Sequence, residues 1–139
     1  MLEKAIEIAV NAHKGQKDKN GAPYILHVIR VMCNGKTEIE KICGVLHDLI
    51  EDTDWTFDRL KKEGFSNEVI DVLRCLTKES EEEDYTHFIN RIKENKIAIN
   101  VKLNDLKENM DIIRLTKLDN KDIVRLNKYL NAYNELIKL

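Results

Sequence analysis

The sequence predicts an all-α protein that folds as one compact helical bundle. Apolar residues recur mainly at spacings of three and four, which is the periodicity of a single helix face. Only one proline and five glycines interrupt the 139 residues, so the chain has few internal stops. A chain of this length can bury a core without disulfides, and no repeat or low-complexity tract divides it. We therefore expect a single domain, residues 1–139.

Two helices are expected in the first part of the chain. The first covers residues 2–13 and places Ala5, Ile8 and Ala9 on one face. A polar loop follows at residues 15–21. Pro23 suits the first turn of a second helix, where a missing N–H costs nothing, and the pair Asn34-Gly35 ends that helix.

The rest of the chain predicts further helices with recognisable N-caps. Thr56 and Ser66 precede apolar residues at helical spacing and are expected to cap the helices that follow them. The acidic run from Glu79 to Asp84 is expected to be a solvated connection. The predicted ranges are about 38–51, 56–63, 67–76, 84–94, 96–115 and 120–139.

Composition and charge exclude several classes of function. A formal net charge of −2 offers no basic surface for polymeric nucleic acid. The N-terminus carries Glu3 and Glu7 in an amphipathic pattern, unlike a signal peptide. No apolar run approaches the roughly 20 residues that span a bilayer, so we expect a cytoplasmic protein without membrane contact. The three cysteines, far apart in sequence, are expected to be buried, reduced packing residues.

His47 and Asp48 lie side by side in an apolar helical stretch, where burying both is costly unless a partner such as a metal ion satisfies them. The candidate ligand set is His27, His47, Asp48 and Asp105. Two nitrogen and two oxygen ligands suit an octahedral manganese or iron ion with open positions better than a closed zinc site. A histidine-aspartate pair is also common by chance, so a capping or hydrogen-bonded pair is the alternative interpretation.

Three segments occur together with this pair in a consistent order. They are PYILH at 23–27, HDLIED at 47–52 and KLNDLKENM at 102–110, and the first extends back as AHKGQKDKNGAPYILH from residue 12. As a set they resemble the HD phosphohydrolase superfamily, and most closely the hydrolase domain of the RelA/SpoT enzymes and the small alarmone hydrolases. The resemblance covers about residues 5–115. It implies an HD fold and an enzyme that removes the 3′-pyrophosphate from (p)ppGpp with a manganese ion.

The resemblance also implies roles for individual residues. It places the metal on His27, His47, Asp48 and Asp105. Glu51 and Asp52 match the family's catalytic acidic pair. They lie four residues beyond His47 and Asp48, so a continuous helix would put each one turn further along, where a carboxylate can take a proton from an attacking water.

Two further positions match substrate contacts of the family. Asn109 lies four residues after Asp105 and should project from the same side of its helix. Lys19, in the loop before the PY pair, could meet a substrate phosphate. An exposed surface asparagine and a plain solvated loop lysine are the alternative interpretations of these two residues.

The chain departs from the alarmone hydrolases in the same loop. Their loop usually reads arginine-lysine before PY, with the arginine packed on the guanine base, whereas this chain has Asp18-Lys19. Lys17 could replace the charge but lacks a planar face for stacking. Ile112 also stands where the long enzymes tend to carry a polar residue. No Gly-rich phosphate loop is present, so we do not expect alarmone synthesis.

The leading hypothesis is a metal-dependent (p)ppGpp 3′-pyrophosphohydrolase that acts on a small nucleotide. A hydrolase of another nucleotide mono- or pyrophosphate and a non-catalytic nucleotide-binding regulatory module are the alternatives. A third hypothesis is a helical interaction protein. The last helix carries enough apolar surface for either a core element or a homodimer face, and both remain open.

Overall fold

The computed structural model describes all of residues 1–139 and confirms the all-α prediction. A lone antiparallel bridge between Lys17 and Pro23 is its only β pairing. No helix combines the length and apolar character needed to cross a membrane. The nine helices are α1 Leu2–Ala12, α2 Ile25–Cys33, α3 Glu38–Leu46, α4 Leu49–Asp52, α5 Phe57–Lys62, α6 Asn67–Leu76, α7 Tyr85–Ile92, α8 Lys96–Asn109 and α9 Asn120–Ile137.

Side-chain caps begin most of these helices. The Thr56 hydroxyl accepts the amide of Arg59 at 3.1 Å, and the Ser66 hydroxyl accepts the amide of Val69 at 3.2 Å, as their sequence context predicts. Each cap satisfies one of the amides that a helix start leaves without a partner. Side chains of the same kind begin α3, α7, α8 and α9, and they come from Thr37, Asp84, Asn95 and Asp119.

The expected third helix is wrong in one respect, because it breaks at His47 and Asp48. In a continuing helix the carbonyl of Gly44 would accept the amide of residue 48. Here that carbonyl lies 2.6 Å from Nδ1 of His47, and the backbone of Asp48 turns to φ −101° and ψ 1°. The chain then resumes as α4.

The helix expected over residues 96–115 also ends early, at Asn109. The Asp111 carboxylate accepts the amide of Ile113 at 3.1 Å, a local turn that competes with helix continuation. Arg114 then reaches back to the carbonyl of Glu108 at 3.4 Å. Residues 110–119 therefore form a connection between α8 and α9.

The core positions three helices against one another. A cluster of 26 buried apolar residues fills the interior, and α2, α3 and α8 pack pairwise around it. Gly44 lets α2 and α3 approach closely, since a Cβ there would lie 3.1 Å from the Cα of Met32. The contact lies one turn before His47 on α3 and near the C-terminal end of α2, and it sets how closely the two helices that carry His27 and His47 pack.

Two surface expectations need correction. Cys43 is fully buried and Cys75 partly buried, but Cys33, the last residue of α2, is exposed; all three thiols are free. The acidic run from Glu79 to Asp84 is not uniformly solvated. The side chain of Glu83 is only 5% exposed and forms an ion pair with Arg91.

Candidate metal centre

Four polar side chains converge where α2, α3 and α8 meet. His27 comes from α2, His47 and Asp48 from the turn after α3, and Asp105 from α8. Nε2 of His27 lies 3.0 Å from Oδ1 of Asp105 and 3.9 Å from Oδ2 of Asp48. Nε2 of His47 lies 3.1 Å from Oδ2 of Asp48 and 3.3 Å from Oδ1 of Asp105. The structure thus brings together all four residues of the predicted ligand set.

The residues present fit a metal ion. Nε2 of His47 is buried and has no hydrogen-bond partner, although two carboxylate oxygens lie within 3.3 Å. Nδ1 of the same ring lies 2.6 Å from the carbonyl of Gly44, which favours the tautomer with its proton on Nδ1. Nε2 then presents a lone pair toward the other ligand atoms. The ligand atoms of His27, His47 and Asp48 all lie within 4.8 Å of one another.

Neighbouring side chains hold both carboxylates. The Tyr24 hydroxyl donates to Oδ2 of Asp48, the oxygen that faces the two imidazoles. Nζ of Lys102 donates to Oδ2 of Asp105 at 2.8 Å, and Nδ2 of Asn109 donates to Oδ1 at 3.1 Å. Such outer contacts fix the orientation of groups that could bind a metal.

The charges of these groups favour a cation between them. Burial alone would raise the pKa of Asp48, but the adjacent His47 outweighs it and holds the pKa at about 2. Burial opposes ionisation of Asp105 as well, yet Lys102 and His47 keep its pKa well below the usual range. Burial of His47 works against its protonation, and the two carboxylates outweigh that effect and raise its pKa, so a bound metal ion would take the place of the proton on Nε2. Both aspartates are therefore ionised and stabilise a positive charge at this point.

Glu51 and Asp52 lie on α4, but the break before that helix separates their positions. Glu51 lines the same cavity as the four convergent residues, and its Oε1 accepts the backbone amide of Lys78 at 2.6 Å. Asp52 does not line this cavity. Its backbone carbonyl accepts a hydrogen bond from Nε2 of Gln16 at 2.9 Å, and Asp52 is an exposed residue whose carboxylate is partly desolvated near Asp48 and Glu51. The continuous helix face expected from the sequence is therefore wrong, and Glu51 is the member of the pair that faces the cavity.

A cavity of about 230 Å³ opens over the convergent residues. Three cations line it, namely Lys78, Lys102 and Lys128. Burial and the charges of Lys78 and Lys102 lower the pKa of Lys128, because cations that crowd together repel one another. The cavity therefore offers an anion several positive charges next to the cluster.

A second cavity of about 640 Å³ continues from the first, and the two share Tyr24, His27, Asn109 and Tyr129. Asn109 is an exposed residue but lies at the junction. Lys19 is exposed and lines the second cavity, together with the guanidinium-bearing residues Arg114 and Arg125. The two residues expected to contact substrate therefore lie along one continuous groove.

Asp18 has a structural role in its loop. Its Oδ1 accepts the amides of Asn20 at 2.8 Å and Ala22 at 3.0 Å. Its backbone amide donates to the carbonyl of Ala22 at 2.8 Å, which closes the loop against itself. The carboxylate at the position of the expected arginine thus shapes the loop that carries Lys17 and Lys19.

Several residues of this groove were missed by the sequence analysis. Lys102 lies inside the KLND segment, and its position three residues before Asp105 is a signal that could have identified it. Tyr24 lies inside PYILH in the same way. Lys78 and Lys128 are far apart in sequence and belong to no motif, so only the fold brings them together.

The chain has sequence relatives among known proteins. The chain is 33% identical over 120 residues to the guanosine-3′,5′-bis(diphosphate) 3′-pyrophosphohydrolase of Aquifex aeolicus, which covers 78% of this chain and 17% of that protein. It is 31% identical over 129 residues to a protein of Mycoplasma genitalium named for the same activity, and this match covers 86% of this chain and 18% of that protein. The chain therefore spans less than a fifth of the length of these relatives. No protein-family model matches the chain.

A solved structure gives a likeness over nearly the whole chain. It is a metazoan orthologue of SpoT, described as hydrolysing ppGpp and acting in starvation responses. The two folds agree with a TM-score of 0.76 over 97% of this chain and 84% of the other. At 22% sequence identity, this likeness establishes the fold.

The Tyr24 contact generates a prediction about metal affinity. In Tyr24→Phe, Asp48 loses the hydroxyl that orients its inward-facing oxygen. We expect Mn²⁺ affinity to fall by roughly 10-fold, the lower end for loss of an outer-sphere contact. Titration followed by electron paramagnetic resonance of free Mn²⁺ measures this. Tyr133→Phe, which removes a hydroxyl from a residue of α9 that lines neither cavity, is the matched control, and equal affinities of the two variants would contradict the assignment.

Proposed function

We propose that this chain is a metal-dependent phosphohydrolase of a small phosphorylated nucleotide. It is an HD-domain protein related in sequence and fold to the hydrolases of the SpoT/RelA family. The leading substrate is (p)ppGpp, from which it would remove the 3′-pyrophosphate. The names of the Aquifex aeolicus and Mycoplasma genitalium relatives support this substrate. We propose one divalent ion, manganese or alternatively iron, held by His27, His47, Asp48 and Asp105.

One observation supports the proposal above all others. Two imidazoles and two ionised carboxylates, all buried except the half-buried Asp48, line the same cavity as three lysines. The cluster suits a cation, and the lysines suit the phosphates of a substrate that bridges to it. A purely structural histidine-aspartate pair would need neither the cavity nor the surrounding cations.

The proposed ion would lower the pKa of a water molecule and stabilise charge on the phosphate oxygens when it is bound. Glu51 lines the cavity and is held by the Lys78 amide, so its carboxylate can accept a proton from a nucleophile within it. Lys78 and Lys128 would orient the phosphate chain. Lys102 keeps one oxygen of Asp105 occupied and leaves the other facing the imidazoles.

The second cavity provides room for the rest of a nucleotide. We propose that Lys19 and Asn109 contact it there, since both line this cavity and Asn109 also borders the first. Asp18 stands where the alarmone hydrolases carry the arginine that packs on guanine. That difference favours, as a second candidate, a hydrolase of another nucleotide mono- or pyrophosphate that uses the same ion and the same carboxylates.

The test of the function is turnover. The protein loaded with Mn²⁺ is offered ppGpp, ordinary nucleotides and sugar phosphates, and release of phosphate and pyrophosphate is measured. We expect ppGpp to be cleaved to pyrophosphate. Glu51→Gln should lose at least about 100-fold in kcat while it retains metal, because it removes a proton acceptor. Asp48→Ala should lose metal and turnover together.

Glu68→Gln, an exposed change on α6, is the control and should match the unmodified protein. Cleavage of a different nucleotide with ppGpp untouched would identify the second candidate function. Stoichiometric nucleotide binding without product formation would replace both proposals with a regulatory binding module. Full activity of Glu51→Gln would remove Glu51 from the proposed chemistry.

The pH dependence follows from Asp52. Desolvation by the surrounding protein and the charges of Asp48 and Glu51 raise the pKa of Asp52 to about 6. We propose that ionised Asp52, which lies outside the cavity lining, assists proton removal by Glu51. The value of kcat/KM should then rise with pH through a limb at or below about 6, because a nearby bound cation lowers the pKa of Asp52. Bound metal is measured at each pH, since protonated imidazoles release it. A profile that stays flat to pH 4.5 with metal retained would exclude this role.

A further inference from the structure

The segment Thr77–Asp84, which we call the strap, crosses beside the cavity between α6 and α7. Its sequence, TKESEEED, contains no apolar side chain, so hydrophobic burial cannot hold it in place. Lys78 nevertheless lines the cavity, and its backbone amide donates to Oε1 of Glu51 at 2.6 Å. The strap thus supplies two groups to the proposed active site and must be held by polar contacts.

Arg91 on α7 provides those contacts at both ends of the strap. Its Nη2 donates to the carbonyl of Thr77 at 2.7 Å and to Oε1 of Glu83 at 3.0 Å. Its Nη1 pairs with Oε2 of Glu83 and lies 3.5 Å from Glu79. One planar guanidinium therefore fixes the first residue of the strap and a carboxylate near its last residue.

The partner carboxylate strengthens this arrangement. Glu83 also accepts the amide of Glu79 at 2.9 Å, which folds the strap back on itself, and its Oε2 lies 2.6 Å from Nδ1 of His87. The side chains are 17% exposed for Arg91 and 5% exposed for Glu83, so the pair is shielded from solvent. Shielded pairs with fork geometry are stronger than exposed surface pairs.

Arg91 itself does not line the cavity. Its effect on the site passes through Thr77 to the next residue, Lys78. The hydrogen bond from the Lys78 amide to Glu51 depends on the position of the strap. The position of the Lys78 ammonium, which lies 6.0 Å from the ring centroids of Tyr85 and Phe88, depends on it as well. Small displacements of groups that position a reaction are costly in rate.

We propose that Arg91 is a positioning residue whose clamp on the strap places Glu51 and Lys78 for catalysis, an inference that rests on the proposed function. Cutting the clamp should release the Lys78 amide and loosen the Glu51 carboxylate, while the metal residues, which lie on other elements, keep their ion. The Glu51 carboxylate then occupies several positions, only some of which suit catalysis, so kcat falls more than the affinity for Mn²⁺ does.

The experiment compares Arg91→Met, Arg91→Lys and Glu83→Gln with two controls. Lys93→Met removes a cation of an exposed pair near the end of α7, and Glu81→Gln removes an exposed carboxylate of the strap. Hydrogen exchange at the Lys78 amide, Mn²⁺ affinity and kcat/KM are measured on each folded variant. Circular dichroism establishes folding first, and Glu83→Gln and Arg91→Lys carry the test if Arg91→Met is unfolded.

We expect exchange at Lys78 to speed up at least about 10-fold in Arg91→Met and Glu83→Gln, with kcat/KM lower by roughly 10- to 100-fold and Mn²⁺ affinity within about twofold. Arg91→Lys should give exchange rates and kcat/KM values between those of Arg91→Met and the unmodified protein, because one ammonium cannot hold both ends of the strap. Both controls should match the unmodified protein. Unchanged exchange at Lys78, or faster exchange with full kcat/KM, would overturn the proposal. The exchange measurement needs no substrate, so it still reports on the clamp if no phosphate ester is turned over.

Discussion

His27, His47 and Asp105 are buried and Asp48 is half-buried where α2, α3 and α8 meet, and that burial costs free energy unless a positive charge lies among them. The structure meets the demand from several sides. Lys102 neutralises one oxygen of Asp105, and Tyr24 donates to Asp48. Oδ2 of Asp48, Oδ1 of Asp105 and the unpartnered Nε2 of His47 lie close together, which is the arrangement that a divalent cation requires.

The local backbone follows from this constraint. Gly44 admits the close contact between α2 and α3, and its carbonyl faces Nδ1 of His47, so one residue both sets the packing of the two helices and favours one tautomer of His47. The break after Leu46 then turns Asp48 toward the imidazoles and starts α4 in a new direction. As a result Glu51 lines the cavity, while Asp52 does not.

The sequence was sufficient for the helical class, the caps at Thr56 and Ser66, and the meeting of His27, His47, Asp48 and Asp105, because each depends on local patterns or on motifs that occur as a set. It failed where a side chain competed with helix bonding, as His47 does with the carbonyl of Gly44. It also missed Lys78, Lys128 and the Arg91 clamp. Their contacts join residues from different helices and loops, and no periodicity records which charged residues will face one another.

The metal centre is the claim on which the rest depends, and locating the ion tests it most directly. Crystals of the unmodified protein soaked in Mn²⁺ would be measured near the manganese absorption edge for anomalous scattering. A single peak bounded by His27, His47, Asp48 and Asp105 is the expected result. A peak elsewhere, or none between these residues at saturating Mn²⁺, would contradict a metal-dependent hydrolase built on this cluster.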